Sequence, residues 1–352
     1  MALARGRGVQ PAFENWEGER RALLDRRISE LGLSVRGTAV ERIADRLYGE
    51  LEQKGLHFRP PVYLSDQWGC PEGTPIIGVP FYLADPRLER IEEEMSTAVE
   101  GEEESMRYLR HEAGHAFNYA YRLYEQPEWR RLFGPYSRPY RERYHVDPFS
   151  RRFVRHILGW YAQKHPDEDF AETFAVWLTP GSEWRRDYAG WPALDKLEYV
   201  DRTMGEIGKK PPPKAPAPTA DDLPVDAMNY TVAEHYREAE VPLPIASEVH
   251  FDGDLKNLFA MPAEAPAGEE AARFVERHRQ EVVQRIAYWT GESTTTVRSF
   301  VDHLITRARV LGLRVRGLEA STLIELTAFG TAVIMNFRYT NALDGAPREP
   351  DR

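Results

Sequence analysis

Val40, Ile43, Leu47 and Leu51 recur every three or four residues, and Gly32, Gly37 and Gly55 punctuate the polar stretches around them. The pattern over 17–54 therefore predicts two helices. From Pro60 to Ala84 the spacing changes to that of strands: Val62-Tyr63-Leu64, a Gly- and Pro-rich turn through Thr74, then Ile76 to Leu83. Pro80 has no N–H to donate, so this second strand is expected at a sheet edge. Gly101-Glu102-Glu103-Glu104-Ser105 then opens a helix with an acidic first turn. Met106, Leu109, Ala113, Phe117, Ala120 and Tyr121 carry that helix through Tyr124, and Pro127 stops it. Another helix is predicted after His165. Pro166 suits its first turn, acidic residues follow, Phe170, Phe174, Trp177 and Leu178 form the buried stripe, and Pro180 closes it.

Residues 126–160 join these two helices and are dense in Arg and aromatic side chains, among them Trp129, Arg138, Tyr140, Arg143, Tyr144 and Arg152. A basic wall facing an acidic substrate is one reading. A solvated surface paired to the chain's many carboxylates is the other, and the excess of acid elsewhere favours it. His145 and His156 in this stretch, and His165 just after it, read as structural or solvent-facing. Lys209-Lys210-Pro211-Pro212-Pro213-Lys214-Ala215-Pro216-Ala217-Pro218 marks the clearest boundary, an extended spacer. Beyond it, helical patterns run over about 268–290, 295–311 and 318–338, with Gly291 and Gly312 as stops. The last is apolar on most faces and is expected to be a central packed helix. The expected organisation is a helical segment over 1–57, an α+β domain over 58–208, a linker over 209–224, a mainly α-helical domain over 225–341 and a disordered tail over 342–352.

Composition narrows the setting. A net charge of −10 argues against nonspecific nucleic-acid binding as the main task. The single cysteine, Cys70, excludes an intramolecular disulfide. No apolar run follows Met1-Ala2-Leu3-Ala4-Arg5-Gly6-Arg7-Gly8, and no stretch reaches about 18 apolar residues. A soluble, cytoplasmic protein without membrane association is expected.

The chemistry concentrates in His111-Glu112-Ala113-Gly114-His115, an H-E-x-x-H within the acidic-capped helix. Residues four apart share a helix face, so both imidazoles can reach one Zn²⁺, with Glu112 beside them to hold and deprotonate a water. Such a site needs a third protein ligand and an open fourth position. Glu168 and Glu172 stand one turn apart on the later helix, so one can bind the metal while the other hydrogen-bonds a ligand histidine. An acidic turn that merely satisfies the helix dipole is the alternative.

H-E-x-x-H followed by E-x-x-x-E on a later helix resembles the gluzincin metallopeptidases. The string Glu168-Asp169-Phe170-Ala171-Glu172-Thr173-Phe174-Ala175 is similar to the third-ligand helix of a bacterial group of zinc-binding metallopeptidases, and to the catalytic domain of anthrax lethal factor and the Pro-Pro endopeptidases. The resemblance spans roughly 60–207. It implies a zincin-like α+β fold whose edge strand, above the H-E-x-x-H helix, pairs with an extended peptide or protein substrate. It further implies one Zn²⁺ per chain on His111, His115 and Glu168, with Glu172 supporting a ligand. Glu112 would be the general base, and Tyr161, seven residues before the ligand Glu, would polarise the scissile carbonyl. Many members of the group carry an N-terminal zinc ribbon, which a chain with one cysteine cannot build. The implied activity is that of a zinc metalloendopeptidase. The C-terminal helices lie beyond the resemblance and show no chemistry of their own; they are expected either to assist the α+β domain or to bind a protein partner. Two alternatives stay open: a zinc-stabilised binding or scaffold protein without turnover, and a stress or metal sensor acting on one regulatory protein.

Overall fold

The computed structural model describes residues 15–95, 101–141, 144, 146–157, 159–214, 224–238 and 251–340. The pattern over 17–54 forms α1 (Trp16–Leu24) and α2 (Ala39–Gln53), and α2 buries Val40, Ile43, Leu47 and Leu51 on one face. The chain then lays down β1 (Val62–Ser65) and β2 (Ile77–Pro80), paired in parallel with Val62 opposite Ile77. The expected longer second strand ends at Pro80, and Phe81–Ala84 turn into a 3₁₀ helix. β2 lies at an edge of the two-stranded sheet, as Pro80 predicts, but that edge is covered at Gly78. All four residues of β2 are buried, and Gly78 exchanges backbone hydrogen bonds of 2.7 and 3.2 Å with Gly69. The loop after β1 folds back along that edge and is held there by Trp68, stacked on Tyr108 at 5.8 Å. A substrate strand has no free ladder at Gly78 to join.

After α3 (Pro86–Met95) comes α4 (Glu102–Ala120), which carries the H-E-x-x-H motif. This helix stops at Ala120 rather than near Tyr124, because Arg122 takes a left-handed conformation (φ 52°) and Leu123–Glu125 form a 3₁₀ turn. Next are α5 (Pro127–Phe133) and α6 (Pro166–Leu178), then α7 (Trp184–Asp187), α8 (Ala193–Ile207) and α9 (Val232–Glu238). The His165 ring caps α6 by accepting the Asp167 N–H at 3.2 Å, and every residue of α6 is buried. Such a helix, sealed on all sides, is where buried carboxylates must find partners within the protein.

One hydrophobic core runs from Trp16 to Tyr236, with Phe117, Phe170, Phe174 and Trp129 near its centre. The 1–57 segment, where described, is thus part of the same body as 58–208. Residues 225–238 also belong to it and not to the C-terminal helices: Ile28 N–H bonds Tyr230 O at 3.1 Å and Val232 N–H bonds Arg26 O at 3.0 Å. Sequence patterning gives no hint of that return, because the pairing is between short irregular segments. The Pro-rich run is described as far as Lys214, whose N–H bonds Ala120 O at 3.1 Å. Ala215–Pro218, the 342–352 tail, the N-terminal stretch before Asn15, Arg143 and His145 lie outside the described residues.

A second core joins α10 (Asp252–Leu258), α11 (Ala271–Thr290), α12 (Thr294–Val310) and α13 (Glu319–Thr340). Here α13 is not central. It packs through Leu326, Gly330, Ile334 and Phe337, while Ile324 on the other face is 69% exposed. A Cβ at Gly330 would stand 2.4 Å from Ile286 Cδ1, so the glycine brings α13 onto α11. By length and composition alone, Glu319–Tyr339 is long and apolar enough to cross a membrane.

A buried ion pair ties two helices of the first body. Arg110 on α4 grips Glu50 on α2 with two bonds of 2.7 Å. Glu50→Ala would strand a buried guanidinium and is expected to cost about 3–5 kcal/mol, read as a lower urea midpoint. Glu50→Ala combined with Arg110→Met should recover much of that loss. A single-variant cost below about 1 kcal/mol would mean water reaches the pair.

Candidate metal centre

The centre is made where α4 crosses α6. Gly114 sits at the crossing, and a Cβ there would lie 2.7 Å from Ala171 Cα, so nothing larger than glycine fits without parting the helices. That approach brings the His111 and His115 face of α4 onto the first turns of α6. His111 Nε2 lies 3.0 Å from Glu168 Oε2, His115 Nε2 lies 3.1 Å from the same oxygen, and the two Nε2 atoms are 3.1 Å apart. All three side chains are buried. The ligand atoms of a tetrahedral zinc with bonds of about 2.0–2.1 Å stand about 3.3 Å from one another. The observed triangle is within a few tenths of an ångström of that, so His111, His115 and Glu168 fit a zinc ion and together could hold a metal.

Each histidine is oriented from behind. His111 Nδ1 meets Glu172 Oε1 at 2.9 Å, and Glu172 Oε2 accepts the N–H groups of His156 (3.1 Å) and Ile157 (2.9 Å). His115 Nδ1 stands 3.0 Å from Asp167 Oδ2, at ion-pair distance though not aligned as a hydrogen bond. Asp167 is held in turn by the Asn118 amide at 2.6 Å and the Tyr119 hydroxyl at 2.5 Å. A carboxylate behind each ligand imidazole fixes its tautomer and raises its basicity.

Electrostatics point the same way. Burial opposes a charge on His111, yet Glu168 and Glu172 outweigh it and hold its pKa up at about 9. His115 is driven well above the usual imidazole value against the same burial, by Asp167 and Glu168. Glu168 falls well below the carboxylate range despite burial, because both histidines favour its anion. Burial pushes the Glu112 carboxyl up, and no hydrogen bond engages it among the described residues. Four buried carboxylates (Glu112, Asp167, Glu168 and Glu172) thus surround two imidazoles, an arrangement that favours a cation between them.

Tyr161 begins a 3₁₀ turn that leads into α6, its ring 5.6 Å from that of His111. Its hydroxyl is 3.3 Å from the Tyr140 hydroxyl, which donates to Glu168 Oε1 at 2.6 Å. Burial and the Glu168 charge raise the Tyr161 pKa far above the ordinary phenol value, so the hydroxyl keeps its proton.

The structure brings together His111, Glu112, His115, Tyr161, Glu168 and Glu172. His156 and His165 stay out of the triangle: the His156 ring meets Arg107 O at 3.0 Å, and His165 caps α6 and contacts Arg138 O at 2.8 Å. Sequence reasoning missed Asp167, Asn118, Tyr119 and Tyr140. Asn118 and Tyr119 carry a retrospective signal, since they follow His115 at i+3 and i+4. Tyr140 carries none, lying in an irregular stretch taken for solvated surface.

Residues 89–181 match the model of a family described as "Putative zinc-binding metallo-peptidase", a span that holds both motif helices and Tyr161. The match supports a zinc metallopeptidase family for this body. No curated protein and no solved structure matches the chain.

Two removals separate the carboxylates. Glu168→Ala and His115→Ala are expected to leave the purified chain without zinc by elemental analysis. Glu172→Ala and Asp167→Asn should retain it with about 10–100-fold weaker affinity in chelator competition. Zinc lost only from Glu172→Ala would move the ligand register by one helical turn.

Proposed function

We propose that the first body is a zinc-dependent endopeptidase, hydrolysing peptide bonds in a peptide or protein substrate with one Zn²⁺ held by His111, His115 and Glu168. The observation that carries this reading is the 3.0–3.1 Å triangle of two imidazole nitrogens and a carboxylate oxygen, with an unengaged Glu112 on the same helix. A zinc ion held by these three residues would supply Lewis acidity, which lowers the pKa of a water towards ~7 and polarises a carbonyl.

The chain's own groups do the rest. Glu112 takes the proton of the attacking water and hands it to the departing amine. The upward push that burial gives its carboxyl suits a group that must both accept and release a proton near neutrality. The Tyr161 hydroxyl, protonated throughout the working range, donates to the oxygen that gains charge as the tetrahedral centre forms. Glu172 and Asp167 hold the two imidazoles in the orientation that keeps both Nε2 atoms on Glu168. Because β2 offers no open edge at Gly78, the substrate is held by contacts other than strand addition there.

A peptide-library digest read by mass spectrometry tests the activity. Glu112→Gln should keep zinc and lose turnover, since Gln accepts no proton. Tyr161→Phe should keep zinc and fold while kcat falls by ~10²-fold or more with KM little changed, because its donor acts on charge that develops in the transition state. Wild-type kcat in zinc-loaded Tyr161→Phe would remove that residue from the chemistry. A zinc-loaded wild type that cleaves nothing would favour a scaffold.

A further inference from the structure

We propose that the C-terminal helical body positions the metal centre of the first body, and that Arg338 and Gly291 are the positioning residues through which it does so. This rests on the zinc peptidase reading of His111, His115, Glu168 and Tyr161.

The coupling element is made of His156 and Ile157 on one side and Gly159, Trp160 and Tyr161 on the other. At one end, the His156 and Ile157 N–H groups hold Glu172 Oε2, and Glu172 Oε1 holds His111 Nδ1 at 2.9 Å. At the other end, Tyr161 presents its hydroxyl beside Tyr140 and Glu168. Between them the backbone passes through two consecutive left-handed residues, Gly159 (φ 82°) and Trp160 (φ 56°). Apart from Arg122, Trp160 is the one described non-glycine residue with positive φ, a conformation that persists only where surroundings fix it.

Both bodies supply those surroundings. From the first, the Tyr144 hydroxyl donates to Gly159 O at 3.0 Å. From the second, Gly291, just past the end of α11, lies directly on Gly159. A Cβ on Gly159 would sit 2.5 Å from Gly291 Cα, and one on Gly291 would sit 2.7 Å from Gly159 Cα and 2.5 Å from Arg338 Nη1. Arg338 on α13 locks this seat. Its Nη1 donates to Thr290 O at 2.6 Å, and its guanidinium lies 5.1 Å from the centre of the Tyr144 ring. The contact therefore grips Gly159 directly and also through the tyrosine that holds Gly159 O. Moving α11 and α13 away releases the segment on which both the Glu172 backbone donors and Tyr161 are mounted.

Hydrogen exchange and zinc competition on the full chain test this without relying on turnover. Arg338→Ala removes the lock without imposing backbone strain, and Gly291→Val forces the seat apart should Arg338→Ala leave it closed. Opening is read as faster exchange across 288–291. In the opened variant the His156 and Ile157 amides should exchange at least about 10-fold faster, and zinc affinity should fall several-fold, towards the loss expected for Glu172→Ala. Arg338→Lys, which can still donate to Thr290 O, should restore part of both. On a cleavable peptide, kcat should drop with KM nearly unchanged. Unchanged amide exchange at 156 and 157 together with wild-type zinc affinity, in a chain whose 288–291 segment has opened, would overturn the proposal. A wild type that binds zinc without cleaving peptides would instead refute the peptidase reading and leave these two readouts to judge the positioning role.

Discussion

The close crossing of α4 and α6 at Gly114 and Ala171 is the constraint on which the centre depends. Helices usually stand 8–10 Å apart according to the side chains between them. Here a missing Cβ lets one backbone approach the other so closely that a methyl group would lie 2.7 Å from a Cα. Two imidazoles from one helix then reach a carboxylate on the other without long side chains or loops. The glycine inside H-E-x-x-H thus has a geometric task, separate from the ligand chemistry on either side of it.

That crossing also concentrates charge. Asp167, Glu168, Asp169 and Glu172 occupy the first two turns of α6, and all are buried. Each residue along a helix turns by about 100°, so the four carboxylates diverge and find different partners. Asp167 goes to His115, Glu168 to the triangle, Glu172 to His111 and the 156–157 amides, and Asp169 to Lys196 at 2.6 Å. Lys196 is tied further to Arg152 O. An acidic first turn of this kind would ordinarily answer the helix dipole on an exposed surface. Buried, each anion requires its own counterpart, and the whole set organises the centre.

How much of this was legible in the sequence follows from what periodicity can carry. The cluster of His111, His115 and Glu168 was legible in part: the histidines obey a helical repeat and Glu168 and Glu172 stand one turn apart, but the choice of Glu168 over Glu172 came from the family resemblance alone. The ends of α11 and α12 were readable because Gly291 and Gly312 take left-handed conformations. Tyr140, the Gly69 bridge that covers β2 and the return of 225–236 to the first core were not, since each is a long-range pairing between irregular segments. The position of α13 failed differently. An all-round apolar helix suggests burial on all sides, but among the described residues its packing lies on one face, and Ile324 on the other stays exposed.

Tyr140 shows why the residue without a sequence signal matters to the proposed chemistry. It is 50% exposed, yet its hydroxyl reaches inward to Glu168 Oε1 at 2.6 Å. That leaves Oε2 as the oxygen nearest both imidazoles, at 3.0 and 3.1 Å. A carboxylate with one oxygen engaged by a phenol is biased towards offering only the other to a metal. Two nitrogens and a single oxygen would give a zinc ion three protein ligands, the number that leaves room for a water. Were both Glu168 oxygens free, bidentate binding would compete for that room. The tyrosine at the mouth of the centre, through the oxygen it occupies, therefore favours an open coordination site of the kind hydrolysis requires.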